Sequence, residues 1–276
     1  MKKQFVAVIA LAGLAAGATL AHAASGSKGG GIVGSKHDMN VFIAANGGKA
    51  DTELRVCAFC HTPHHAKDTQ LQQTTVITDP ATGVGTTVNY TTYLPLWSRD
   101  VPAGGYSQYN TSTFDPGADG KFYDPMAGPS RLCMTCHDGN IAVDSYYGQT
   151  GAATKKGDDQ INMFASGSHF AIADKNGSGL TNDHPVGFVY DEMVSNPTYE
   201  LRASSEGFIG NATRTIDSVL TYVDGAQGRV MTCASCHDVH NGPAVGNTAP
   251  ASGNGYFLYA TQEGSKLCLS CHDKNR

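Results

Sequence analysis

Cys57-Ala58-Phe59-Cys60-His61-Thr62-Pro63-His64-His65 is the stretch on which the chain turns, because the pattern of its first five residues returns three more times. The copies are Cys133-Met134-Thr135-Cys136-His137, Cys233-Ala234-Ser235-Cys236-His237 and Cys268-Leu269-Ser270-Cys271-His272. Two thiols separated by two residues and followed at once by histidine form the attachment site of a c-type haem. The thiols add across the two vinyl groups of one porphyrin, and the imidazole meets the iron from below. The pattern therefore predicts four covalently bound haem c groups, one on each of Cys57/Cys60, Cys133/Cys136, Cys233/Cys236 and Cys268/Cys271. Their proximal iron ligands would be His61, His137, His237 and His272.

A single match of this kind could be half of a zinc site or a redox dithiol. Here all eight cysteines lie inside such motifs and none is left over. Neither zinc binding nor a disulfide framework gives a reason for histidine to follow every pair. With both thiols of each motif consumed by haem, no disulfide is expected.

Lys2 and Lys3 precede an apolar run from Phe5 to Leu20, and Ala21-His22-Ala23 supplies small residues at a cleavage position. This is the pattern of a secretory signal peptide over residues 1–23, with a mature chain from 24 to 276. A retained anchor is the weaker reading, since the run is rich in Ala and Gly. Lipidation lacks its cysteine, because Leu14 follows Leu11-Ala12-Gly13. No other segment is apolar enough to span a bilayer. Export suits haem attachment, which takes place outside the cytoplasm. The expected location is thus secreted, at the outer surface or in the periplasm. Loss of residues 1–23 removes two lysines and no acid, moving the net charge from −5 to −7. An acidic chain is a poor partner for nucleic acid. Oxidised metal surfaces or basic redox partners suit its sign better.

Residues 24–40 begin Ser/Gly-rich and end in Gly34-Ser35-Lys36-His37-Asp38-Met39, a flexible N-terminal arm carrying one histidine. Thr74 to Tyr93 is rich in Thr, Val and Tyr around Asp79-Pro80-Ala81-Thr82-Gly83 and predicts a β-hairpin. Residues 98–130 lack any period and predict loop. Ile216–Val223, the turn Asp224-Gly225 and Arg229-Val230-Met231 predict a second hairpin leading into the third motif. With 33 glycines and no long 3.6-residue period, helices should be short and confined to single turns before the haem motifs. The fold class expected is a multihaem cytochrome c: one mostly irregular domain with short helices and a few β-hairpins, wrapped around a stack of four haems. The porphyrins supply the apolar bulk that the chain lacks.

The chemistry of each iron rests on its sixth ligand. Beyond His22 and the proximal set, six histidines remain: His37, His64, His65, His169, His184 and His240. That is enough for every iron to be bis-histidine, which favours electron transfer over chemistry at the metal. His64 and His240 each follow a proximal histidine by three residues and share one face of a turn with it, so each would serve a neighbouring haem. His184 is stiffened by Pro185, and His37 stands alone on the arm. These four are the distal ligands expected, with His169 and His65 as alternates. Met39, Met163 and Met231 are unnecessary given the surplus of histidine. An enzyme would need an open iron or a departure such as lysine in place of a motif histidine, and all four motifs end in His. No enzymatic activity is expected.

The segments C-x-x-C-H-T-P-H (57–64), G-S-x-H-D (34–38), D-H-P-V-G-F (183–188) and C-H-D-V-H-N (236–241) resemble the multihaem c-type cytochromes of metal-reducing bacteria. With four motifs on an exported chain of this length, the sequence is similar to the outer-surface tetrahaem cytochrome E (OmcE) type. That resemblance implies subunits polymerised into extracellular filaments, a continuous line of closely stacked haems, and one iron that receives its histidine from the neighbouring subunit. His37 on its tether would then be donated in trans, making a head-to-tail homopolymer. Further partners would be other multihaem cytochromes as donors and extracellular acceptors such as metal oxides. The alternative is a discrete soluble periplasmic carrier with His37 bound in cis.

Overall fold

Helix forms on the haem motifs themselves, not only in turns before them, and in a few short segments elsewhere. The computed structural model describes residues 32–45, 50–64, 66, 68–102, 106–138, 146, 172, 179–240 and 257–274. The expected signal peptide (1–23), the first part of the arm, His65, Met163 and His169 lie outside them. Each C-x-x-C pair falls on a helical turn: Val56–Phe59 and Cys233–Ser235 as 3-10 turns, Pro129–His137 (α2) and Lys266–Cys271 (α4) as α-helix. A spacing of three residues brings both thiols to one side of a turn, so the attachment chemistry itself selects helix there. The longest of these helices has nine residues and begins with Pro129 at its first turn, where a missing N–H is harmless. The third motif starts on a capping box: the Thr232 hydroxyl and the Ser235 side chain each accept the other's backbone N–H.

The remaining α-helices are Met39–Ala45 (α1) and Tyr190–Val194 (α3). At α1 the expectation of a flexible arm through residue 40 gives way to packing. Asp38, Met39 and Asn40 are buried, and Met39 and Ile43 pack on Phe59 of the first motif. The apolar stretch that follows His37 thus docks the end of the arm onto a haem site.

The first hairpin runs through Gln70–Thr78 (β1) and Gly85–Tyr93 (β2), starting four residues before the sequence signal. Asp79 organises its turn, accepting from Ala81 N–H at 2.8 Å and from the Thr82 hydroxyl at 2.9 Å, while Gly83 takes a left-handed φ of 70°. The second hairpin is shorter than expected. Only Thr221–Tyr222 (β3) and Arg229–Val230 (β4) pair, and Asp217–Val219 forms a 3-10 turn instead of strand. Asp217 there forms an ion pair with Arg229 at 2.7 Å, so the segment still closes onto β4 without a ladder. The described residues of 98–128 hold only isolated bridges, as a loop should, while the last two positions of the expected loop, 129 and 130, begin α2.

Apolar residues are gathered in several small clusters among the described residues. The largest joins Tyr190 and Met193 to Phe188, Phe208, Ile216 and Met231. Cross-connections between loops carry the rest. Gly187, at φ 91°, donates its N–H to Met231 O at 2.6 Å and accepts from Asp124 N–H at 2.8 Å. A Cβ there would sit 1.9 Å from Asp124 O, so this crossing admits only glycine. Arg202 clamps the fourth motif: its guanidinium donates to Leu269 O at 3.3 Å and Ser270 O at 3.0 Å while pairing with Glu206 at 2.9 Å. A cation on the last carbonyls of α4 complements the helix dipole.

Candidate haem sites

The first motif is held by a second segment running antiparallel to it. His61 bridges Trp97, Thr62 N–H donates to Leu96 O at 2.8 Å, and Ser98 N–H donates to Cys60 O at 2.9 Å. This crossing brings the Pro95 carbonyl to 2.6 Å from His61 Nδ1. A carbonyl only accepts, so Nδ1 carries the proton and Nε2 keeps its lone pair for a metal. His184 is arranged the same way, with Nδ1 at 2.9 Å from Pro185 O. The stiff His-Pro step noted in the sequence thus fixes the tautomer as well as the backbone.

Three proximal histidines each face a distal candidate. The ring centroids of His61 and His240, of His37 and His137, and of His184 and His272 are all 6.2 Å apart. A metal–imidazole bond of roughly 2 Å on each side of a shared iron puts two ring centroids about 6 Å apart. The repeated spacing is therefore that of two imidazoles on one iron. Among the described residues no three His, Cys, Asp or Glu side chains converge as a bare metal ion needs. Histidines opposed in pairs are what haem iron asks for, because the porphyrin supplies the other four donors. The residues present fit the group.

Electrostatics agree with this arrangement. Burial, with His137, His237 and His240 nearby, lowers the pKa of His37 to about 4. His184 is lowered by burial against the opposing effect of its Pro185 bond, and His272 by burial and then His184. Such rings are neutral at pH 7, the form that ligates a metal. Phe257 stacks on His37 at 4.5 Å and 10°, and Trp97 meets His61 edge-on at 5.4 Å and 88°. Neither aromatic partner had a local sequence signal, since both contacts join segments distant along the chain.

The motifs also neighbour one another. Burial raises the Cys60 thiol to about 12, with Cys136 of the second motif adding to the effect. The thiols of Cys133 and Cys233 share a hydrogen bond, which holds Cys133 well above the ordinary thiol value. Burial raises Cys236 to about 12, with Cys271 of the fourth motif contributing. Ser130 of α2 accepts the Cys233 N–H at 3.1 Å, tying the second motif to the third directly. None of the eight cysteines is in a disulfide.

Of the expected distal ligands, His37, His184 and His240 stand opposite a proximal ring. His64 does not. It is exposed, and no described ring contact involves it. His37 faces His137 of its own chain.

A family model described as a doubled CXXCH motif matches residues 226–276, which contain the third and fourth motifs. Searches of curated proteins and of solved structures returned no match. The match supports a multihaem c-type cytochrome with covalently bound haem. No helix among the described residues is long and apolar enough to cross a membrane.

Proposed function

We propose that this multihaem c-type cytochrome conducts electrons through four bis-histidine haems and converts no substrate. The observation that carries the reading is the triple recurrence of facing histidines at 6.2 Å. An iron held by two imidazoles has no open position for a substrate and changes little in geometry on reduction. The haem, when bound, supplies the Fe(III)/Fe(II) couple. The chain positions it: the cysteines fix the porphyrin edge, Pro95 and Pro185 orient two imidazoles, and burial favours the neutral rings of His37, His184 and His272. The hydrogen bond between Cys133 and Cys233, and the electrostatic influence of Cys136 on Cys60 and of Cys271 on Cys236, favour a relay in motif order.

The exported signal pattern and the resemblance to outer-surface tetrahaem cytochromes favour an extracellular filament that passes electrons from donor cytochromes to acceptors such as metal oxides. His64, exposed beside the first motif, is the residue best placed to bind a haem of the next copy. A second reading, a discrete periplasmic carrier, is favoured by the cis pairing of His37 with His137. Haem content by pyridine haemochrome and negative-stain imaging of the haem-loaded protein test both. Four low-spin haems per chain in filaments support the first reading. Four low-spin haems in small separate particles move the assignment to the second, and an iron that is high-spin at rest overturns electron conduction as the sole role.

A further inference from the structure

Trp97 carries a buried hydrogen-bond donor that finds no acceptor among the described residues. The residue is only 8% exposed, and its indole Nε1 has no acceptor. The neighbouring Thr62 is fully buried, and its hydroxyl is likewise without a partner. Both adjoin the candidate iron ligand His61, one along the chain and one across it. Thr62 follows His61 in the chain, and Trp97 bridges His61 across the antiparallel crossing with its ring edge-on to the imidazole. A buried donor left unpaired costs about 1–3 kcal/mol, so two around one imidazole point to an acceptor that arrives with the cofactor.

A c-type haem brings few acceptors. Its macrocycle is apolar, its four ring nitrogens face the iron, and its vinyl groups are consumed by Cys57 and Cys60. Its two propionates are the hydrogen-bonding groups that remain. They are anionic, and they need donors wherever they are removed from water.

We infer that Trp97 Nε1–H, aided by the Thr62 hydroxyl, anchors a propionate of the haem on the first motif. The inference rests on the proposed function only in requiring a haem at Cys57 and Cys60. The anchor would fix the rotation of that porphyrin about the His61–iron axis. It would also partly neutralise a negative charge beside the iron, which favours Fe(II) and raises the potential of this one haem.

The chain has a single tryptophan, so its spectrum is unambiguous. Ultraviolet resonance Raman of the haem-loaded protein should show the indole N–H mode in its hydrogen-bonded position. Trp97→Phe keeps an aromatic ring on His61 and deletes the donor. In that variant the propionate bending band of one haem should shift in Soret-excited Raman, and one of the four potentials should fall with all irons still low-spin. Thr62→Val should move the same band in the same direction by a smaller amount. A free indole N–H in the haem-loaded protein would overturn the inference. So would a hydrogen-bonded indole with an unmoved propionate band in Trp97→Phe, since a buried water would then be the acceptor. Haem missing from the first motif by mass spectrometry would overturn this inference and the four-haem reading together, whereas a free indole beside an attached haem overturns this inference alone.

Discussion

His37 and His137 face each other at 6.2 Å and 61°, although one stands before the first cysteine pair and the other closes the second. The contact brings the end of the N-terminal arm against the second motif. It also separates the roles of two histidines that the sequence treats alike. His37→Ala should add one five-coordinate, high-spin iron to whatever the dispersed parent shows, visible by electron paramagnetic resonance at every protein concentration. His64→Ala should leave the three facing pairs intact in dispersed subunits and abolish filaments in negative stain. A dispersed His37→Ala protein with no more high-spin iron than the dispersed parent would remove His37 from the second haem.

Gly187 is where the loop carrying His184 crosses the chain near Asp124, with no room for a side chain. Gly187→Ala adds a Cβ 1.9 Å from Asp124 O at a φ of 91°. The backbone must shift at a cost of at least about 2 kcal/mol, which should appear as a lowered Tm in haem-loaded protein. Because Pro185 and His184 move with the loop, the same variant should show partial loss of low-spin signal from the haem on His272.

Much of the site was legible because its chemistry is local. C-x-x-C-H is written in five consecutive residues, and the turn at Asp79–Gly83 follows from the Asp79 side chain and a left-handed glycine. The proline after His184 also announced a fixed imidazole. The pairing of ligands was not legible. His61 meets His240, and His61 Nδ1 meets Pro95 O, through crossings that no periodicity marks. Loop-rich chains decide such contacts by tertiary packing, and only the local half of each partnership leaves a pattern. The second hairpin shows the same limit: Thr, Val and Leu favour strand over 216–223, yet two residue pairs form, because 216–220 packs its apolar side chains into the largest cluster.

Acid should loosen the arm. The folded His37 has its pKa lowered from 6.5 to about 4, chiefly by burial. Between those values the unfolded chain binds more protons than the folded one, so stability is complete above pH 6.5 and falls as pH drops towards 4. The loss amounts to about 3 kcal/mol at most from this group. A protonated ring cannot bind iron, so coordination acts in the same direction. Acid titration followed by visible absorption should show conversion to high-spin in this window, and His37→Ala should remove one haem from that transition.

The angles between facing rings predict a spectroscopic fingerprint for each pair. The planes of His61 and His240 lie 28° apart, whereas those of His37 and His137 are at 61° and those of His184 and His272 at 74°. Near-parallel imidazoles split the two iron d orbitals that overlap their π systems, giving an ordinary rhombic signal. Near-perpendicular ones leave those orbitals almost degenerate, giving a single broad feature at large g. The oxidised protein should therefore show both kinds at once. His240→Ala should remove the rhombic component assigned to the first haem and replace it with a high-spin signal, leaving the large-g features of the other two pairs in place. If His240→Ala instead diminishes the large-g features and spares the rhombic signal, the pairing of His240 with His61 is wrong, and the order of haems along the relay has to be redrawn from the first motif onward.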